Sequence, residues 1–164
     1  EAGLPTGLLV LPPRTVSFAH SPSGWQKQVN PQADHGLGTS LALAARWALD
    51  QHAEGLIVLL ADMPLLEGPY LRRLAASPPP TATAHPGGRP GVPALLSRPT
   101  LEQAAFLVGD EGAGRLLAAA EGLTLLDAPA GMLLDVDTSK DCRRAEVMLL
   151  ARKNSRLFRE DTSL

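Results

Sequence analysis

Asp62, Asp135 and Asp137 are the residues best placed by type and position to do chemistry. Asp62 follows the apolar run Leu56 to Leu60, and Asp135 with Asp137 stands at the end of a second run, Leu133 to Val136. In open α/β sheets, ligands bind outside the carboxyl ends of the strands. Carboxylates from two such ends can share one divalent ion, and Mg2+ prefers one or two carboxylates with water and phosphate oxygens completing its shell. That is chemistry for the phosphates of a nucleotide. The same residues also have plain structural uses: Asp62 as the start of a turn, and Asp137 or Thr138 as the cap of a following helix.

Gly36-Leu37-Gly38-Thr39-Ser40 is a glycine-containing loop that opens a helix, and it can present backbone N–H groups to an anion or a ribose. It matches neither the Rossmann nor the P-loop spacing and reads equally as a tight turn with Thr39 or Ser40 as helix cap. Gly109 to Arg115 precedes another helix, with Asp110 suited to the positive end of its dipole or, with Arg115, to ordering a substrate loop. His20, His35, His52 and His85 lack metal-ligand spacing and read as surface or loop residues, with His35 alone near enough to the Gly36 loop to reach a ligand. Cys142 reads as half-buried helix packing. Arg143, Arg144, Arg152, Lys153, Arg156 and Arg159 read as a solvated helix face running into a basic tail.

These residues need a scaffold, and the hydrophobic pattern supplies one. Short apolar or extended runs at Leu8 to Leu11, Trp25 to Val29, Leu56 to Leu60, Thr81 to His85, Val92 to Leu96, Leu123 to Leu126 and Leu133 to Val136 predict strands. Pro12-Pro13 ends the first. Leu56 to Leu60 is apolar throughout, the pattern of a parallel-sheet strand covered on both faces. Leu41, Ala44, Ala45, Ala48 and Leu49 recur at helical spacing, with Arg46 and Asp50 turned away. Further helices are predicted at Glu67 to Ala76, Thr100 to Leu107, Gly112 to Glu121 and from Ser139 past Met148. Pro86 to Gly91 reads as a loop. Strands alternating with helices predict one layered α/β domain with a mostly parallel sheet.

Composition sets the outer bounds. With 164 residues, 45% hydrophobic and 20% charged, the chain can bury a core without disulfide or structural metal. A single cysteine excludes an internal disulfide and makes a reducing cytoplasm the default compartment. The net charge of −2 argues against broad electrostatic binding to nucleic acid or an anionic membrane, so an anionic ligand must be held locally. No apolar run approaches the roughly 20 residues of a membrane span, and Glu1 to Pro5 has neither the basic start nor the apolar core of a signal peptide.

Four segments taken in order resemble one family. Gly36-Leu37-Gly38-Thr39-Ser40-Leu41, Leu59-Leu60-Ala61-Asp62-Met63-Pro64-Leu65, Gly109-Asp110-Glu111-Gly112-Ala113 and Leu134-Asp135-Val136-Asp137-Thr138 are similar to the MobA-like molybdenum-cofactor nucleotidyltransferases, nearest the molybdopterin cytidylyltransferase branch. Gly91-Val92-Pro93-Ala94-Leu95-Leu96 resembles the stretch that lines the pterin side of the family's cleft. The resemblance implies a Rossmann-like three-layer fold. It implies transfer of CMP from CTP to the terminal phosphate of molybdopterin, with pyrophosphate leaving. By the same resemblance Asp62, Asp135 and Asp137 would hold Mg2+, Gly36, Gly38, Thr39 and Ser40 would contact the nucleotide, and Gly91, Pro93 and Asp110 would lie toward the pterin. A molybdoenzyme or its chaperone would be the protein partner. Transfer of GMP or another nucleotide, transfer to another phosphorylated acceptor, and a non-catalytic role in holding and delivering the cofactor are the alternatives.

The chain departs from the family at one point. The first strand and its loop of the form Leu-Ala-Ala-Gly-x-Ser-x-Arg-Met-Gly, with a following lysine, have no counterpart here. Glu1 to Gly7 would correspond to the end of the first helix and Leu8 to Leu11 to the second strand. A segment of about 35 residues, a little over one strand and helix, is therefore expected ahead of Glu1. Because that strand is central in a doubly wound sheet, its omission should leave an unfilled slot between Leu8 to Leu11 and Leu56 to Leu60.

Overall fold

The computed structural model describes residues 6–14 and 23–160, the side chains of 154–160 excepted. The expectations for Glu1 to Pro5, His20 and the side chains of Arg156 and Arg159 lie outside the described residues. Gly7–Leu11 (β1) and Trp25–Val29 (β2) pair in parallel as a two-stranded sheet. Gly55–Val58 (β3), Thr81–His85 (β4), Arg89–Ser97 (β5) and Thr124–Asp127 (β6) form a second sheet in the order β3-β5-β4-β6.

The helices are Leu37–Asp50 (α1), Gly68–Ala75 (α2), Arg98–Ala104 (α3), Ala113–Ala118 (α4) and Ser139–Glu160 (α5). The apolar stripe of α1 packs as its spacing predicts. Leu41, Ala45 and Ala48 join Ala82, Ala94, Leu96, Leu101, Ala104 and Leu117 in the main core. A smaller cluster of Tyr70, Leu71 and Met132 forms elsewhere. Ala82 belongs to the main core, whereas the next residue, Thr83, meets Tyr70 of α2 through a 2.8 Å hydroxyl contact. Successive strand residues face opposite sides of a sheet. Hence α1, α3 and α4 cover one face and α2 the other, which gives three layers.

The sheet is mixed rather than mostly parallel. β5 is antiparallel to both β3 and β4, while β4 and β6 are parallel. The cause is the short connection read as a loop: β4 and β5 are joined by Pro86 to Gly88 only, and strands joined so briefly must run antiparallel. Pro86 followed by Gly87 at φ 80° suits a type II turn, closed by the Gly88 N–H donating to the His85 carbonyl at 2.9 Å. Leu56 to Leu60 is accordingly a four-residue strand, Gly55–Val58, half-buried and paired only with β5 among the described residues.

Leu133 to Val136 forms no strand. Its tie to the neighbouring chain is the Val136 N–H donating to the Asp62 carbonyl at 2.9 Å, one bond where a ladder needs several. Thr39 and Ser40 do not cap α1, because the helix begins earlier, at Leu37, with Gly36 at φ 114° as its N-cap.

Both β1 and β3 lie against α1, yet no ladder joins the two sheets. Each strand therefore keeps one edge without a strand partner among the described residues. Among those residues no helix is long and apolar enough to cross a membrane.

Candidate functional site

Strand direction gathers the site. With β5 antiparallel to β3 and β4, and β6 parallel to β4, the three strands β3, β4 and β6 point the same way. Their carboxyl ends share one edge with the start of β5. Asp62 follows β3, His85 ends β4, Gly91 lies near the start of β5, and the segment bearing Asp135 and Asp137 follows β6. The backbone bond from Val136 to Asp62 clips that segment to the loop after β3, with the two aspartates on either side of the clip.

The electrostatics confirm that these groups are neighbours. The Asp135 carboxyl sits above its ordinary 3.8, first through partial desolvation and then through the charges of Asp62 and Asp137, while His85 pulls the other way. A folded-state value raised in this way is a penalty on the charged form. It is absent at low pH, grows as pH rises above 3.8, and is complete once pH exceeds the folded-state value. Asp135→Asn should therefore raise the melting temperature slightly at pH 7, and the gain should vanish toward pH 3 as the wild-type carboxyl takes up its proton. Parallel thermal melts across that range check this; an equal gain at both ends would mean that charge is not the cause.

Asp62 Oδ1 is buried and has no hydrogen-bond partner among the described residues. A carboxylate oxygen withdrawn from water and left unpaired is costly, and in a native fold such an atom calls for a cation or a ligand donor. Among the described residues, no three His, Cys, Asp or Glu side chains close into a cage that would hold a metal unaided. Hard carboxylate oxygens that supply part of a shell suit Mg2+ or Mn2+ completed by phosphate oxygens and water.

Asp137 is not consumed as a helix cap. Thr138 takes that role, its Oγ1 accepting from the Asp141 N–H at 3.3 Å while the Asp141 carboxylate accepts from the Thr138 N–H at 3.1 Å and from its hydroxyl at 2.5 Å. The Thr138 hydroxyl is the main reason that the Asp141 carboxyl lies below its ordinary value.

α5 is tied to the Asp62 loop by Arg152, whose Nη1 donates to the Leu65 carbonyl at 2.8 Å and meets Glu67 Oε1 at 3.1 Å. Between them runs a groove of about 510 Å³, lined by Asp62, Pro64, Val136, Ala145 and Leu149. Arg152→Ala should lower stability by about 1–2 kcal/mol in urea melts, as the charged hydrogen bond is largely shielded from water. The exposed pair Arg98 and Glu102 at 3.6 Å is the control and should contribute under about 0.5 kcal/mol.

The loop after β2 forms a second group. Gly38 N–H donates to the Gly109 carbonyl at 2.9 Å, and a Cβ at Gly36 would fall 2.5 Å from Gly109 backbone atoms and against the Asp110 carboxylate. The structure thus brings the Gly36 loop and Asp110 together. Thr39 is buried and its hydroxyl is engaged internally, accepting from Asn30 Nδ2 at 2.9 Å and facing the carbonyls of Gly36 and Gln32 at 2.8 and 2.9 Å. It shapes this loop instead of projecting from it. Ser40 Oγ accepts from the same Asn30 amide at 2.9 Å.

Asn30, absent from the expected residues, is the hub here. Its N–H donates to the Leu11 carbonyl at 2.8 Å, so it fastens the end of β1 to the start of α1. Asn30-Pro31 at a strand end is a turn signal that could have revealed it. Pro93 is buried, and its carbonyl accepts from the Thr83 hydroxyl at 2.6 Å, so it is a structural partner of β4. Cys142 is exposed rather than half-buried, and His35 is exposed beside Gly36.

The carboxylates at the carboxyl edge of this mixed sheet stand where α/β domains bind their ligands. The chain belongs to the MobA-like NTP transferase domain family, whose model matches residues 2–124. It is 33% identical over 121 residues to the purine catabolism protein PucB of Bacillus subtilis (strain 168), a stretch that covers 71% of this chain and 59% of PucB. The chain thus spans about three fifths of the length of that curated relative.

Among solved structures it is similar to Rv0371c from Mycobacterium tuberculosis H37Rv, with TM-score 0.63, 26% identity, and 84% of this chain and 73% of that one covered. The Rv0371c complex with manganese gives 0.66 and 25%, covering 88% and 79%. A homologue of it from mycobacterium sp. strain JC1, 22% identical with TM-score 0.61 over 88% and 75%, shares the fold. Asp135 and Asp137 lie beyond the family match, so their place beside Asp62 rests on the geometry above.

Proposed function

We propose that this chain carries most of a cytoplasmic nucleotidyltransferase that moves CMP from CTP to the terminal phosphate of molybdopterin and releases pyrophosphate. The observation that carries the reading is Asp62, with its buried unpartnered oxygen, set beside Asp135 and Asp137 in a MobA-like NTP transferase domain.

An oxygen of the acceptor phosphate attacks the α-phosphorus of the triphosphate as the bond to the bridging oxygen of the β-phosphate breaks. The attacking oxygen is already ionised near neutral pH, so no side chain need remove a proton. What the protein supplies is position and electrostatics. Asp62, Asp135 and Asp137 would hold a divalent ion, Mg2+ in the cell; the manganese complex of Rv0371c supports a divalent metal in this fold. Bound there, such an ion neutralises charge on the transferring phosphoryl group. Gly36, Gly38 and Ser40 shape the nucleotide side together with Thr39, while Gly91 and Asp110 serve the pterin side. A molybdoenzyme or its chaperone would receive the product.

A strand with a glycine-rich phosphate loop belongs to the same reading. The unpaired edges of β1 and β3, both against α1, support it. Incubation with molybdopterin, Mg2+ and each nucleoside triphosphate in turn is the test. Pyrophosphate release with CTP alone is the expected result. Release with GTP or another triphosphate would replace the base assignment. No release with any of them, from the protein carrying its glycine-rich loop, would leave only a binding and delivery role.

A further inference from the structure

His85 takes no part in the reading above, yet the fold places it with care. It is the last residue of β4, at the sheet edge that carries Asp62, Asp135 and Asp137. Its Nε2 lies 2.8 Å from the Val92 carbonyl. A carbonyl only accepts, so Nε2 bears a proton and donates it.

The ring lies directly over Gly91, where a Cβ would stand 2.5 Å from Cδ2 and 2.6 Å from Nε2. Real Cβ contacts are never so short, so any other residue at 91 would drive the ring from its seat. The hairpin explains the match: Gly91 pairs with Thr83, and His85 lies two residues farther on the same face of β4. With Nε2 anchored, Nδ1 is the nitrogen left for a ligand; no hydrogen bond to it is made among the described residues. His85 is also close enough to Asp135 to act on its charge.

We propose that His85 is a ligand-contacting residue of this edge, seated by Gly91 and anchored by Val92 so that its Nδ1 is the ring nitrogen that hydrogen-bonds to a phosphoryl group held beside the three aspartates. The inference deepens the proposed function, but it needs no turnover for its test.

The probes are Mn2+ alone, followed by electron paramagnetic resonance, and inorganic pyrophosphate in the presence of Mn2+, followed by calorimetry. His85→Gln is the informative variant. A glutamine amide nitrogen reaches the position of Nε2 and can keep the Val92 bond, but it offers nothing at Nδ1. His85→Gln should bind Mn2+ within about twofold of wild type and pyrophosphate at least about tenfold more weakly, the loss expected for one hydrogen bond to a charged ligand group. Gly91→Ala should weaken pyrophosphate similarly, and adding it to His85→Ala should cost nothing more, since its effect passes through the ring.

Unchanged pyrophosphate affinity in His85→Gln would overturn the proposal by reducing His85 to a strand tie. Equal loss of Mn2+ would overturn it by assigning His85 to the carboxylates instead of the ligand. A CTP titration that shifts with the pyrophosphate result places the contact on the nucleotide. One that does not, with phosphate monoester binding reduced instead, places it on the acceptor. If neither shifts, the contact is not made to a substrate phosphate. A protein that transfers no nucleotide but shows the His85→Gln loss keeps this inference and discards the catalytic one.

Discussion

Asp62→Asn should abolish nucleotidyl transfer, by a factor of roughly 10³ or more, while the protein melts at or slightly above the wild-type temperature. Both halves follow from one atom. Asp62 Oδ1 is buried with no partner among the described residues, which leave this carboxylate oxygen unsatisfied. Such an atom lowers stability and is retained where a ligand needs it. The amide keeps the shape but loses the charge and turns one acceptor into a donor, so it cannot hold a divalent ion against phosphate as an anion would. It also relieves the repulsion that Asp62 exerts on Asp135.

Initial rates of pyrophosphate release, Mn2+ affinity and a thermal melt on the same preparation make the test complete. Turnover within tenfold of wild type would remove Asp62 from the site. A large fall in melting temperature would show instead that the side chain is structural. The Mn2+ measurement is independent of the choice of nucleotide and acceptor, so it speaks even if another triphosphate proves to be the substrate.

What the sequence made legible was local. β2 and β4 occupy the spans predicted, Trp25–Val29 and Thr81–His85, because short segments bounded by turn residues on both sides carry their own signal. The buried stripe of α1 was written in its helical spacing. Asp62 follows a strand as the strand-end rule expects, whereas Asp135 comes within its electrostatic reach on a segment that is not a strand.

Pairing itself was not legible. Nothing in Val92 to Leu96 alone says that β5 runs against its neighbours; that follows from a three-residue connection, shorter than the loop that Pro86 to Gly91 predicts. Leu133 to Val136 has the composition of a strand but makes a single backbone bond to Asp62, because ladder formation depends on a distant partner. The place of His85 is illegible for the same reason: its significance lies in a missing Cβ across the hairpin, six residues later. Asn30, Thr39 and Ser40 form a network whose members look like ordinary turn and cap residues until the fold closes on them.

The second large effect is expected at Gly38, and there the sign is the argument. Gly38 lies in the first turn of α1, where helix propensity alone would make Ala the better residue by up to about 1 kcal/mol. A Cβ at this position would meet the Gly109 carbonyl oxygen at 2.7 Å, that of Glu111 at 2.8 Å and that of Val108 at 3.1 Å. All three are backbone atoms of one loop, so no side chain can swing aside to make room. The loop must move away from α1, and the 2.9 Å bond from the Gly38 N–H to Gly109 goes with it. Overpacking of about 1–3 kcal/mol and a lost buried hydrogen bond of about 0.5–1.5 kcal/mol outweigh the propensity gain, so Gly38→Ala should destabilise by about 0.5–3.5 kcal/mol. Gly112→Ala is the control in the same segment, since its Cβ would meet nothing within 4 Å at an ordinary φ of −79°. As the N-cap of α4, that position should lose no more than about 1 kcal/mol, with no loop displaced. Urea denaturation of both variants decides the matter: a lower midpoint at unchanged slope for Gly38→Ala alone supports the clasp. A neutral or stabilised Gly38→Ala would mean that the two loops separate freely. Because Asp110 rides on the displaced loop, against Gly36, the same variant should weaken binding of whatever ligand Asp110 helps to place, by a larger factor than Asp110→Asn, which leaves the clasp intact.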